Sequence, residues 1–383
     1  MDNIAGQKSS LTWATHISVL VLVLLWLIPT IGLFVSSFRD RDQISASGWW
    51  NAPFAVELTA RGRTSAEATP DGDMFVVTGN IYDDPEAQSY FPGGGGEVVA
   101  FGTRGANPTE FEAGTEADLG DGETLTVNAD GTYRYVSPED PGSRGQRVYF
   151  AAASPPNFTL DNYEQVLTAD NMDQAFINTF TVTIPATIIP ILIAAFAAYA
   201  LAWMDFPGRG VLIAVVVGLL VVPLQLALVP MLNLHNKLGI GQSFMGIWFA
   251  HTAFGMPLAV YLLRNYMVGL PRDIIESAKV DGATDFELFV RIILPLSLPA
   301  LAAFSIFQFL WTWNDLLVAK VFLPSDDASK VMTVKIADDL LGSRGGDWGI
   351  LATAAFVSIA VPLLVFFTMQ RFLVRGLLAG SVK

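Results

Sequence analysis

Side chains able to do chemistry are few in this chain, and their spacing argues against bond making of its own. There is no cysteine among the 383 residues, which excludes thiol nucleophiles, disulfides and Cys-based metal sites. His16, His235 and His251 stand far apart without ligand spacing, and no Ser/His/Asp arrangement can be assembled around them. No G-x-x-x-x-G-K-[ST] occurs, so the chain cannot hold ATP by that route; the glycine run at 93–96 lacks a following Lys-Ser or Lys-Thr and reads as a flexible loop. Acids grouped at Asp71/Asp73, Asp83/Asp84/Glu86 and Glu116/Asp118/Asp121/Glu123 could hold calcium, but the spacing from Asp118 to Asp121 does not match an EF-hand loop, and a solvated acidic face is the expectation. The sequence therefore implies no cofactor and no metal. Two sets of residues remain. Glu276, Ser277, Ala278, Asp281, Gly282 and Ala283 place a carboxylate beside small residues and a turn signal, which suits docking. Gln308, Trp311 and Asn314 could border a path through the chain, and Trp311 and Trp313 beside Asn314 and Asp315 offer ring-stacking faces and hydroxyl-binding groups, which suit a sugar.

The elements that must carry these residues are apolar. Hydrophobic residues make up 52% of the chain, charged residues only 15%, and the mean hydropathy is +0.45. Ordinary soluble domains carry about a quarter charged residues. Six runs reach or approach the roughly 20 residues that cross a bilayer as helix: near 16–37, 176–203, 211–233, 244–264, 293–317 and 350–372. The first, Ile17 to Val35, is long for a signal-peptide core and lacks a convincing A-x-A site, so it reads as a retained helix. Pro185 and Pro190 lie inside the second, which predicts a kinked helix whose freed carbonyls need neighbours.

Lys and Arg in the short loops orient the chain. With the N-terminus inside, the cytoplasmic side carries Lys8, Arg209, Arg264, Arg272, Lys279, Arg291, Arg371, Arg375 and Lys383, against Lys237, Lys320, Lys330, Lys335 and Arg344 opposite. This places both termini and the 271–295 loop in the cytoplasm. The acidity is local: from Asp40 to Asp170 there are 22 acids, seven arginines and no lysine, a net of −15 against −14 for the whole chain. Long outer domains translocate regardless of charge, so this region fits between the first and second spans, and it excludes nucleic acid as a partner. Its alternating runs at 74–82, 97–101, 123–136 and 147–153 predict a small β-rich domain over about 55–153, with a hairpin turning at Asn128 to Gly131.

The stretch PRDIIESAKVDGATDFELFVRIILP, residues 271–295, reads as helix, tight turn, helix with one apolar side. Connections between helices usually need roughly two to eight residues. Its Glu276, Ser277, Ala278, Gly282, Ile292, Leu294 and Pro295 resemble the signature loop of binding-protein-dependent ABC importer permeases, with Ser277 where that family usually has Ala. In that family the loop is the coupling helix that docks into a cleft of the cytoplasmic ATPase, so the resemblance implies the same role for Glu276 to Ala283.

Other stretches agree. FTLDNYEQVL (158–167), FINTFTVTIPA (176–186) and YALAWMDFPGR (199–209) resemble segments flanking the second helix of sugar-type permeases, and FQFLWTWNDLLVAKVFL (307–323) looks like the end of their fifth. Trp enrichment at membrane surfaces also fits that last stretch, and Gln308 suits either a translocation path or interhelical glue. QRFLVRGLLAGSVK (370–383) resembles the tail of the maltose-type second permease, which implies ATPase contact through Leu377, Gly380 and Ser381. The resemblance implies an all-α polytopic type I permease fold of six helices, with the β-rich extracytoplasmic insert between helices 1 and 2. The expected divisions are 1–40, 41–160 and 161–383. It also implies an inner-membrane location and three kinds of partner: a second homologous permease, two ATP-binding subunits and an extracytoplasmic sugar-binding protein. The long insert departs from ordinary maltose-type permeases and looks most like the alpha-glucoside transport permeases of proteobacteria. The other reading is an ion-coupled secondary transporter with an outer domain, for which Asp315 near a helix end is the nearest ionisable candidate.

Overall fold

A computed structural model describes residues 10–91, 94–140, 144–168, 171–340 and 348–379, with side chains described between 11 and 372. The chain forms two compact units: Met1–Tyr163 with Asp347–Thr353, and Glu164–Gly346 with Ala354–Lys383.

The first unit opens with helix α1 (Ser10–Ser37), apolar over its length with Pro29 inside it. Two antiparallel sheets follow. One orders β1 (Val56–Arg63), β9 (Arg147–Ser154), β4 (Val98–Gly102) and β5 (Phe111–Glu112); the other orders β2 (Thr69–Asp71), β3 (Met74–Asn80), β8 (Thr132–Ser137), β7 (Glu123–Val127) and β6 (Glu116–Gly120). Alternation dictates the packing. Leu125 and Val127 face Tyr135 and Tyr133 across the hairpin, and all four are buried. With Leu58, Val77, Val98, Phe101, Val148 and Phe150 from both sheets they form one core. The grouped acids lie on turns and outward faces, where Asp84 caps a helix start and Asp118 holds the Gly120 amide. Among the described residues, no three His or acidic side chains come together around a metal position.

The second unit is helical. Among the described residues of both units, the helices long and apolar enough to cross a membrane are α1, α2 (Met172–Trp203), α3 (Phe244–Val268) and the Trp348–Phe372 part of α6 (Trp348–Ala379). The runs expected near 211–233 and 293–317 are not single straight helices. Arg209–Leu219 and Leu224–Lys237 meet at 110°, and Asp285–Leu296 meets Leu298–Trp313 at 69°. Prolines flank both breaks, Pro223 at the first and Pro295 and Pro299 on either side of Ser297 at the second. Pro223 sits at the break in extended conformation, and proline disfavours helix in the residue before it. Ahead of Pro295 the helix widens to π geometry, with the Leu294 amide donating to Phe289 five residues back, because proline offers no N–H and crowds the carbonyl four back. Arg272–Val280 is α4 and Leu298–Trp313 is α5.

Three prolines inside continuous helices receive a different remedy. Pro185 frees the carbonyl of Thr181, which accepts from the Trp248 indole at 2.9 Å. Pro190 frees Ala186, which accepts from the Gln308 amide at 3.2 Å. Pro362 frees Ser358, which accepts from the Trp313 indole at 2.8 Å. In hydrocarbon an orphaned carbonyl has no water to turn to, so side chains of other helices complete these backbones.

The lysines after α5 are neutralised locally. Lys335 is buried and reaches Asp327 at 2.7 Å and Asp339 at 2.9 Å, while Lys330 reaches Asp339 at 3.0 Å. Hydrogen bonds from Lys335, Asn171 and Lys330 hold the Asp327 carboxyl well below the ordinary carboxylate range. Burial pulls the Lys335 ammonium down, but bonds to Asp327 and Asp339 outweigh it and leave it above its ordinary value. The head of α2 is tied to this loop, since Asn178 donates to the carbonyls of Ala328 and Lys330 at 2.7 and 2.9 Å.

Candidate functional site

The 271–295 segment is built from local signals. Pro271 precedes α4, and the helix ends where the Gly282 amide donates to Lys279 and the Ala283 amide to Ala278. This pair of bonds with a left-handed residue between them is a Schellman ending. Gly282 has φ +85°, where a Cβ would meet nothing within 4 Å, so the demand on this residue is conformational and not steric. Thr284 and Glu287 then form a capping box that starts the next turn of helix.

One side of the segment is anchored. Ile275, Leu288, Phe289 and Ile293 are buried with Tyr199, Leu263 and Met267, and Ala278 packs partly against the same cluster. The Asp285 carboxylate lies 3.3 Å from the Tyr199 hydroxyl and 4.0 Å from Lys279. The other side faces outward. Val280 and Phe286 are 86% and 67% exposed, although both are apolar. Asp273, Glu276, Ser277, Val280 and Asp281 line one open concavity. Ser277 turns its hydroxyl back to the Asp273 carbonyl at 2.7 Å, so a small surface is presented. Among the described residues Glu276 makes no ion pair. Unpaired acid beside exposed apolar side chains is the complement of a partner surface with basic rim and apolar floor.

The second set does not converge. Gln308 is fully buried on α5 and bonded to Ala186, with the absence of a side chain at Gly255 giving it room; a Cβ there would come within 2.6 Å of its oxygen. Trp311 is half-buried with its ring 5.5 Å from that of His251. Asn314 is exposed and donates to the Leu310 carbonyl at the end of α5. Trp313, the other ring of the WTW run, is a core residue stacked on Phe309 and met edge-on by Phe176 and Phe180.

One polar cluster is not assembled by the sequence reading, although Asp315 and His251 each figure in it separately. Thr183, His251, Thr312 and Asp315 line a small internal cavity, with the His251 and Asp315 side chains 3.7 Å apart. A signal was available in Thr179, Thr183 and Thr187, which recur every four residues and so lie along one face of α2. Leu377 lies within α6 with its side chain outside the described residues, and Gly380 and Ser381 lie wholly outside them.

Membrane-length helices joined by a segment with one buried side and one exposed acidic and apolar edge define a polytopic membrane protein. Comparison with known proteins narrows that class: residues 168–378 match the binding-protein-dependent transport system inner membrane components, and the chain belongs to that family. It is a non-catalytic permease subunit of an ABC importer, the kind that works with a substrate-binding protein and a separate ATPase. It is 58% identical over 386 residues to the alpha-glucoside transport system permease protein AglG of Rhizobium meliloti, covering 99% of each chain. It is 38% identical over 368 residues to the osmoprotective compounds uptake permease protein GgtD of Synechocystis, covering 96% of this chain and 91% of that one. Among solved structures, a bacterial ABC transporter importing the acidic polysaccharide alginate matches with 20% identity and a TM-score of 0.47, over 57% of this chain and 81% of that chain.

Proposed function

We propose that this permease moves a carbohydrate of the alpha-glucoside class, such as maltose, sucrose or trehalose, into the cell. The observation that carries the substrate class is 58% identity to the alpha-glucoside permease AglG along 99% of both chains, a match that includes residues 41–160. Family membership displaces the ion-coupled alternative.

The assembly contains this chain, a second homologous permease, two copies of a cytoplasmic ATPase and an extracytoplasmic sugar-binding protein. Counting each bent pair as one span gives six, with 1–40 holding the first, 41–160 outside and 161–383 the remainder. Both termini and the 271–295 segment face the cytoplasm of a cell whose inner membrane holds the chain. Glu276 meets a basic residue of the ATPase, Ser277 and Ala278 permit close approach, and Asp281, Gly282 and Ala283 fix the turn. Support comes from the exposure of this acidic edge beside Val280 and Phe286. Leu377, Gly380 and Ser381 add a second contact to the ATPase. Trp311 and Asn314 border the translocation path, with Gln308 behind them holding α2 and α5 together.

Uptake of labelled maltose, sucrose and trehalose tests the proposal in cells lacking the gene, restored with wild type or Glu276→Lys. Wild type is expected to restore uptake of at least one sugar. Glu276→Lys, at equal membrane abundance, is expected to lower it about tenfold or more, because a like-charge clash disfavours docking by more than 1 kcal/mol. Normal uptake by the variant removes the coupling role, and failure of wild type on all three sugars removes the substrate class.

A further inference from the structure

The base of the β-sheet domain, where its two linkers leave the outer end of α1, carries an apolar rim that the permease reading does not use. Within 56–154 the only large hydrophobic side chain exposed among the described residues is Val99. The linkers are different: Trp50, Phe54, Phe158 and Leu160 are 65%, 66%, 56% and 65% exposed. Water-exposed aromatic side chains confined to one rim mark a contact surface.

Geometry places that rim at a definite height. The indole of Trp49 folds back along α1 onto Gly32, where a Cβ would lie 2.8 Å from its nitrogen. At about 1.5 Å per residue, Gly32 lies about 5 Å inside Val35, the last residue of the apolar run. Trp50 sits beside Trp49, ring to ring at 6.0 Å. On the returning linker, Phe158 pairs with Arg39 and the Thr159 amide donates to Phe38, one residue past the helix.

The joint that holds these residues is tightly bonded. Arg39 is buried, and its guanidinium donates to the carbonyls of Gln43, Ser47 and Gly48 and to the Ser47 hydroxyl, at 2.8–3.2 Å. Gln43 donates to Pro155 at 2.8 Å, joining the outgoing linker to the returning one. Asn162 donates to the carbonyls of Ser37 and Arg39 at 3.1 and 2.9 Å. The aromatic rim is therefore fixed to the spanning helix and cannot swing away from the level where that helix leaves the hydrocarbon.

We propose that Trp49, Trp50, Phe54, Phe158 and Leu160 form a lipid-contacting collar that seats the base of the β domain in the headgroup region of the outer leaflet. The surface is continuous with a membrane span, and Trp is the residue most suited to that zone, with an apolar ring and one N–H donor. Most acidic side chains lie on the sheets and turns, with Asp40, Asp42 and Asp161 on the linkers, so the bulk of the domain's charge stands in water while its aromatic base sits at the lipid surface. A protein partner on the same rim is the competing occupant.

The absence of native cysteine permits single-site labelling. Trp50→Cys, Phe54→Cys and, as a reference, Glu67→Cys are each labelled with a polarity-sensitive fluorophore in the full chain, reconstituted in phosphatidylcholine–phosphatidylglycerol nanodiscs. Glu67 is exposed and lies beyond the far end of β1, a strand roughly 23 Å long. Headgroup-nitroxide lipids are expected to quench positions 50 and 54 about threefold more than position 67, with blue-shifted emission. Equal quenching at all three sites overturns the collar. Shielding of 50 and 54 that appears only on adding a binding protein or partner permease also overturns it, in favour of a protein contact. Leu160→Cys serves as a second site on the returning linker if the variant at 50 does not fold.

Discussion

The sheets and the helices of this chain solve the same problem, the unpaired backbone group, by opposite means. In the sheets, β1 pairs with β9 over eight residues and β7 with β8 over four, so the backbone is satisfied by neighbouring strands, and side chains are free to form a core or face water. In the helices the backbone is satisfied within each segment, and where Pro185, Pro190 and Pro362 interrupt it a Trp or Gln from another helix closes the gap. The difference teaches where a side chain's value lies in each solvent. A buried apolar residue holds the sheets together, whereas a single N–H aimed at a single carbonyl helps to hold the bundle.

The largest effect expected from breaking this comparison is in the sheets. Leu125→Ala removes a fully buried side chain and should destabilise the β domain by about 3 kcal/mol, read as protease cleavage within 56–154 at lower denaturant. Next comes Gln308→Met, similar in length and more apolar, which should still destabilise the bundle by about 2 kcal/mol because the Ala186 carbonyl is orphaned. Thermal unfolding in detergent checks it, and a stabilised variant would mean that apolar packing governs both units alike. Gly282→Ala sharpens the contrast from outside both cores: with open space around it, only the left-handed backbone resists, and about 1 kcal/mol at the α4 ending is expected. Proteolysis at 280–284 reads that change.

The smallest effect concerns the ion cluster after α5. Asp327 has its folded carboxyl pKa below the ordinary 3.8, so its contribution is present above that value and is lost as pH falls through the lower folded one. Lys330 and Lys335 have folded values above 10.5, so their contributions are full below 10.5 and lost as pH rises through the raised ones. Amide exchange in 327–339 should therefore be flat between those limits and accelerate outside them. Asp327 is half exposed, which keeps the change modest.

Legibility followed range. The hairpin at 128–131 and the turn at Gly282 could be read because their signals lie within a few neighbouring residues. The capping box of Thr284 and Glu287 has equally local spacing and went unread beside the louder glycine. β1 was also missed, because its inward positions Ala60 and Gly62 are small and its outward ones carry Glu57 and Arg61, so alternation leaves a faint apolar trace. Bends at Pro223 and Pro295 are hidden for another reason: summed hydropathy measures whether a stretch can lie in lipid, and says nothing of whether it is straight. The role of Trp313 was out of reach altogether. Its partner carbonyl is 45 residues away, and only the packing of helices brings them together.

The stitching of α2 has a consequence in time. Its two open carbonyls, at Thr181 and Ala186, are closed by side chains 67 and 122 residues later in the chain. At about 5–20 residues per second of synthesis, the second of these arrives roughly ten seconds after the helix itself. For that interval a newly made α2 is incomplete in the membrane and needs water, or the insertion machinery, at its flank. A defect in a late helix is therefore expressed as damage to an early one, and a chain cut short before Gln308 leaves the Ala186 carbonyl without its side-chain donor.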